Sequence, residues 1–177
     1  HPYLHSSPTR RSSDLIGRMV PFQTPDMQDG DILRVCVEPY DFLPVDKLAF
    51  KGGIPDIHNL VSCEPFGFYI KRKLFVHNMG HATCAYLGGL SDFRLISEAV
   101  DDADILIMVE NAMLESAQAL ARAYGFPIEE LILHIQDLLH RFANRALQDT
   151  CERVGAEPRR KKAPADIEVG AARRWEM

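Results

Sequence analysis

The sequence predicts a mainly α-helical protein with one or two short strands near its N-terminus. Three patterns carry this. Over Ala103–Tyr124, the apolar residues Ile105, Met108, Val109, Ala112, Ala119 and Leu120 recur at helical spacing. Over Pro127–Leu147, Ile128, Leu131, Ile135, Leu138, Phe142 and Leu147 form a second apolar stripe. Only Asp31–Glu38, DILRVCVE, alternates in the β-branched manner of a strand.

The remaining elements follow in order. His1–Leu15 is polar, without periodicity, and rich in Ser, Pro and Arg. HSSPTRRSSDL within it resembles a one-frame translation of a sequencing-library adapter, so residues 1–15 are set apart as a disordered or artefactual leader. Residues 16–64 read as a strand-and-loop segment, with a loop at Gln23–Gly30 and Pro44, Gly52, Gly53 and Pro55 as later punctuation. Lys51 lies there as an exposed lysine or a substrate contact. Residues 65–162 read as a helical domain. Its first helix begins near Pro65 and ends at Gly88-Gly89, with Phe68, Leu74, Met79, Ala82 and Ala85 available for packing. Arg94–Val100 is a short helix. Asp101-Asp102 caps the helix over Ala103–Tyr124, Gly125 ends it, and Met108 and Met113 belong to the core. Pro127 opens the last long helix, with Glu129 and Glu130 in its first turn. Arg159–Lys162 is a basic run, and residues 163–177 form a divergent tail.

Composition narrows the function classes. The 177 residues suffice for one domain, and 46% hydrophobic content suffices for a core. A formal charge of −5 argues against nucleic acid or an anionic membrane as partner. Cys36, Cys63, Cys84 and Cys151 form no C-x-x-C pair and read as reduced thiols of a cytoplasmic protein. No apolar run approaches the roughly 18 residues of a membrane span.

The densest chemistry lies in Tyr69–Gly88, YIKRKLFVHNMGHATCAYLG. On a regular α-helix, Asn78 lies roughly 140° and His81 roughly 80° round from Lys73, about 12 Å of axis separating Lys73 from His81. All three can border one cavity. A lysine whose pKa is lowered by burial or nearby cations can take a proton from an alcohol. Asn78 and His81 could hold the oxygen as it gains charge. A solvated helix surface is the bland alternative. A second one is zinc on His77, His81 and Cys84, although one helix face is too flat to supply three tetrahedral ligands well.

KLFVHNMGH resembles the K-x4-N-x2-H signature of the polyol-specific long-chain dehydrogenases. The longer stretch KRKLFVHNMGHATCAYLG looks most like the branch of that family acting on mannitol 1-phosphate. EPYDFLPVD at Glu38–Asp46, FKG at Phe50–Gly52, HIQDLLHRFANRALQDTCERVG at His134–Gly155 and EPRRKK at Glu157–Lys162 resemble it in the same order. Gly17 stands where that family usually carries an aspartate. The resemblance implies the helical C-terminal domain of a mannitol dehydrogenase, similar to that of 6-phosphogluconate dehydrogenase. It also implies Lys73 as general base, Asn78 and His81 on the reacting oxygen, Arg141 and Asn144 at the sugar, and no metal.

The cofactor implied is NAD, yet no G-x-G-x-x-G turn between a strand and a helix occurs in the sequence. The expectation is a substrate-binding half, cut at both ends, that neither binds NAD tightly nor turns over alone. The substrate is then a small sugar phosphate or polyol. The alternatives are a sibling acting on an unphosphorylated polyol or hexuronate, and a non-enzymatic helical binding module.

Overall fold

The structure is a computed structural model that describes residues 15–50 and 52–156. Lys51, the basic run Arg159–Lys162, the tail 163–177 and all of the leader but Leu15 lie outside the described residues. The order of elements is α1 (Pro25–Gln28), β1 (Leu43–Asp46), β2 (Leu60–Cys63), α2 (Phe66–Arg72), a π turn (Lys73–Asn78), α3 (Met79–Leu90), α4 (Ile96–Asp101), α5 (Ala103–Tyr124), α6 (Ile128–Phe142) and α7 (Cys151–Gly155), with single 3-10 turns at Lys47–Ala49 and Arg145–Leu147. The described chain is thus mainly helical, with two short strands between α1 and the remaining α-helices.

The strands are not where the alternation placed one. β1 and β2 pair in parallel, Leu43 opposite Leu60 through Asp46 opposite Cys63. Asp31–Glu38 is instead irregular. The Asp31 carboxylate accepts from Leu33 N–H, the Asp31 carbonyl accepts from Arg34 N–H, and Gln23 holds the Cys36 backbone. Ile32 and Leu33 are each 83% exposed, so the alternation faces solvent rather than a core. A strand needs a partner edge as well as a pattern.

The helices pack around α3, which touches α4, α5 and α7. Small residues allow that. A Cβ on Gly80 would stand 2.4 Å from Met113 Sδ of α5, and one on Gly88 2.7 Å from Ala99 Cβ of α4 and 2.8 Å from Cys151 Sγ of α7. Asp102 caps α5 by accepting from the N–H groups of Asp104 and Ile105, and Gly125 closes it in the left-handed conformation at φ 67°. Met113 is fully buried, but Met108, expected in the core, is 47% exposed. The buried face of α5 runs through Ile105, Val109, Met113, Ala117 and Leu120, and Met108 lies on its outer edge. α6 buries Leu131, Ile135, Leu138 and Phe142 but stops at Phe142 rather than Leu147. Asn144 is the reason: its side chain accepts from Ala146 N–H and caps the next 3-10 turn.

Gly88→Ala should cost about 1–3 kcal/mol, because neither Ala99 nor Cys151 can retreat from the added methyl. Urea unfolding measures this, and equal midpoints for the two proteins would contradict the close approach.

Candidate active site

The π turn sets the site. Phe68 of α2 and Gly80 of α3 both meet α5, Phe68 with its ring centre 5.6 Å from that of Tyr124 and Gly80 against Met113. On an unbroken α-helix, residues twelve apart would face ~120° away from each other. The wider i→i+5 turn absorbs about one residue and reduces the difference to ~20°. The same turn corrects the angles expected for the polar set. Asn78 and His81 fall roughly 40° and 20° to either side of Lys73 instead of roughly 140° and 80° round from it.

Lys73 is partly buried, and its amine donates to the carbonyl of Ile16. That carbonyl belongs to a strap, Leu15–Gln23, laid across the helices. Arg141 of α6 fixes the strap. Its Nη2 donates to Gly17 O at 2.7 Å and to Glu38 Oε1 at 2.6 Å, and its Nε donates to Glu38 Oε2 at 3.0 Å. Glu38 also accepts from Met19 N–H. Arg141 stacks 3.9 Å over the Tyr40 ring, and its Nη1 makes only a 3.4 Å contact with Asp137. Glu38 and Arg141 are 4% and 6% exposed, so this is a buried, doubly hydrogen-bonded pair. Burial alone would lower the arginine's pKa, but the Glu38 carboxylate overrules it and holds the guanidinium above its ordinary value.

Under the strap lies a cavity of about 20 Å³ lined by Leu15, Gly17, Tyr40, Pro44, Tyr69, Arg72, Lys73, His77 and His134. That volume holds one water and no sugar. Burial lowers the pKa of Lys73 and of Arg72 beside it. Burial, reinforced by Arg141, pushes His77 down to about 3, and burial with Arg72 pushes His134 to about 2. Both rings are therefore neutral.

His81 stands next along α3, its ring centre 6.4 Å from that of His77. It stacks on Phe142 at 4.7 Å and 14°, with Nε2 3.4 Å from Asp149 Oδ2. Asn78 is exposed at the end of the π turn and caps nothing. Asn144, at the C-terminal end of α6, spends its carbonyl on the Ala146 cap. The structure therefore joins Lys73 and Arg141 through the strap, sets His77 between Lys73 and His81, and leaves Asn78 exposed at the end of the π turn. The zinc alternative does not assemble. Cys84 is fully buried in the core with its thiol toward Ile96 O, and no three His, Cys, Asp or Glu side chains converge among the described residues.

Sequence reading missed His134, Glu38 and Asp149. A signal existed for His134, three residues after Leu131 on the same helix face. Glu38 and Asp149 gave none locally, since each meets its partner only in the folded chain.

Residues 66–167 match the family described as the mannitol dehydrogenase C-terminal domain. The fold is similar to a crystal structure of D-sorbitol dehydrogenase in substrate-free form, with TM-score 0.72 and 18% identity over 84% of this chain and 32% of that one. It is also similar to Pseudomonas fluorescens mannitol 2-dehydrogenase in a ternary complex with NAD and D-mannitol, with TM-score 0.65 and 23% identity over 90% of this chain and 36% of that one. The chain spans about a third of the length of each.

The two buried histidines give a signed pH dependence. In the unfolded chain they protonate near pH 6.5; in the folded chain they stay neutral down to about 3 and about 2. The unfolded state thus binds more protons below pH 6.5, so their contribution is complete above that pH and is lost as pH falls toward 3. Between pH 7 and 5 the loss is at most about 2 kcal/mol per histidine. Urea unfolding of the wild type should show the fall, and His134→Gln should remove about half of it. A flat stability profile over that range would contradict the burial.

Proposed function

This chain belongs to the mannitol dehydrogenase C-terminal domain family, and on that footing we propose that it forms the substrate side of a metal-independent polyol oxidoreductase. The observation that carries the reading is Lys73: an amine made less basic by burial, already holding one oxygen, at a π turn inside the central helix. π turns inside α-helices recur at functional sites.

In the oxidation, the neutral Lys73 amine takes the hydroxyl proton of the reacting carbinol as its hydrogen leaves the carbon as hydride. Asn78 and His81 hold the oxygen while it carries alkoxide charge. In the reverse direction the Lys73 ammonium returns the proton to the carbonyl oxygen. Arg141 meets the sugar edge through Nη1, its most weakly engaged nitrogen, and Asn144 through its amide N–H. NAD supplies the hydride acceptor when bound. Nothing among the described residues fits it: β1 runs into a 3-10 turn, and the turn from β2 into α2, Glu64-Pro65, has no glycine where a dinucleotide site needs a glycine-rich one. We place NAD on residues outside this chain, in a longer cytoplasmic enzyme whose thiols are reduced. The four cysteines are free, in keeping with that setting, and no described helix is long and apolar enough to cross a membrane.

The finer proposal is interconversion of D-mannitol 1-phosphate and D-fructose 6-phosphate, as in mannitol-1-phosphate 5-dehydrogenase. The stretch KRKLFVHNMGHATCAYLG and the basic run Arg159–Lys162, whose guanidinium forks suit phosphate, support it. A second reading, an unphosphorylated polyol, is favoured by the likeness to a D-sorbitol dehydrogenase and to a mannitol 2-dehydrogenase bound to D-mannitol.

In a full-length form carrying a dinucleotide domain, Lys73→Ala should lower kcat with mannitol 1-phosphate by about 10²–10⁴-fold. Steady-state NADH formation reads this, and unimpaired turnover contradicts the mechanism. Faster turnover of mannitol than of its phosphate selects the second reading.

A further inference from the structure

His81 needs a fixed ring and a fixed proton to serve a reacting oxygen, and the chain contains a device for both. Asp149 lies between the 3-10 turn Arg145–Leu147 and α7, just after Gln148, which takes the left-handed conformation at φ 51°. Its backbone is pinned to the start of α4: Asp149 O accepts from Ile96 N–H at 2.9 Å, and Cys151 N–H donates to Arg94 O at 2.9 Å. Thr150 bridges Leu95 in antiparallel fashion between these two bonds.

The carboxylate divides its two oxygens. Oδ1 accepts from Arg153 Nε at 2.8 Å and from its Nη2. Oδ2 faces His81 Nε2 at 3.4 Å, ion-pair reach and slightly longer than a formed hydrogen bond. The two side chains are 16% and 13% exposed, so water competes weakly for this contact. Phe142 stacks on the face of the His81 ring, and Asp149 lies at its Nε2 edge.

We propose that Asp149 is the positioning residue for His81, holding the imidazole proton on Nε2. The proposal rests on the reading of His81 as part of the oxygen-binding set. A carboxylate acts on an imidazole in this way by accepting from one ring nitrogen, which determines what the other presents. With Nε2–H directed at Asp149, His81 turns Nδ1 to its ligand, and it donates to an alkoxide there as imidazolium. Arg153 pairs with the far oxygen and keeps Oδ2 turned to the ring.

The test uses nitrogen-15 NMR of the imidazole rings in the 177-residue chain at pH 8, with no substrate or cofactor present. The wild type should show His81 as a single tautomer, protonated at Nε2, with that proton protected from exchange. Averaged His81 tautomers in the wild type overturn the proposal. In Asp149→Ala, with the amide spectrum otherwise preserved, the tautomers should average, and a still-fixed ring overturns it. Should the alanine variant unfold, Asp149→Asn decides: the Nε2 proton should exchange at least tenfold faster, and an unchanged rate overturns it. A fixed wild-type tautomer alongside unimpaired turnover of the Lys73 variant would sink the proposed function and leave this inference standing.

Discussion

The site depends on one local departure from α geometry, the π turn Lys73–Asn78. It lets a continuous rod bury Phe68 on one side of the turn and Gly80 on the other against the same helix, α5. Without it, either the aromatic cluster of Phe68 with Tyr124 and Phe126 or the close approach of α3 to α5 would be lost. The polar residues of the turn share in that phase change. Lys73 and His77 turn toward the cavity under the strap, and Asn78 stays at the surface.

The strap is the second constraint, and it acts through charge. The Glu38–Arg141 pair is buried and bidentate, and removing one partner of such a pair typically costs about 3–5 kcal/mol because the other charge is left uncompensated. The pair holds Gly17 and Met19 on the helices, and through them the Ile16 carbonyl over Lys73. Desolvation of the amine follows from that cover. Arg141 is therefore engaged chiefly in the fold, and any sugar contact it makes uses what the clamp leaves.

Much of this was legible in the sequence wherever the signal was local. Asp102 and Gly125 bound α5 because a cap is a property of a few adjacent residues. The stripe of α6 was legible because Leu131, Ile135, Leu138 and Phe142 repeat at the helical period. The alternation of Asp31–Glu38 misled, since a strand is completed by a partner that this segment lacks among the described residues. Met108 misled because helical spacing fixes the stripe but not its width. No propensity marks KLFVHN as a π turn; the turn follows from what packs above and below it. Glu38 and Arg141 lie 103 residues apart, so nothing in either neighbourhood announced the pair. The candidate site divides the same way. Lys73, Asn78 and His81 stood out by type and spacing, while their environment came only from the folded chain.

Everything proposed for catalysis requires that burial make the Lys73 amine a weaker base than an ordinary lysine. Reductive methylation with carbon-13 places a reporter on each lysine amine without removing its charge, and titration of the methyl resonances gives each pKa in the intact chain. The account predicts that Lys73 titrates below its ordinary value of 10.5. A Lys73 resonance that titrates at or above that value would contradict it.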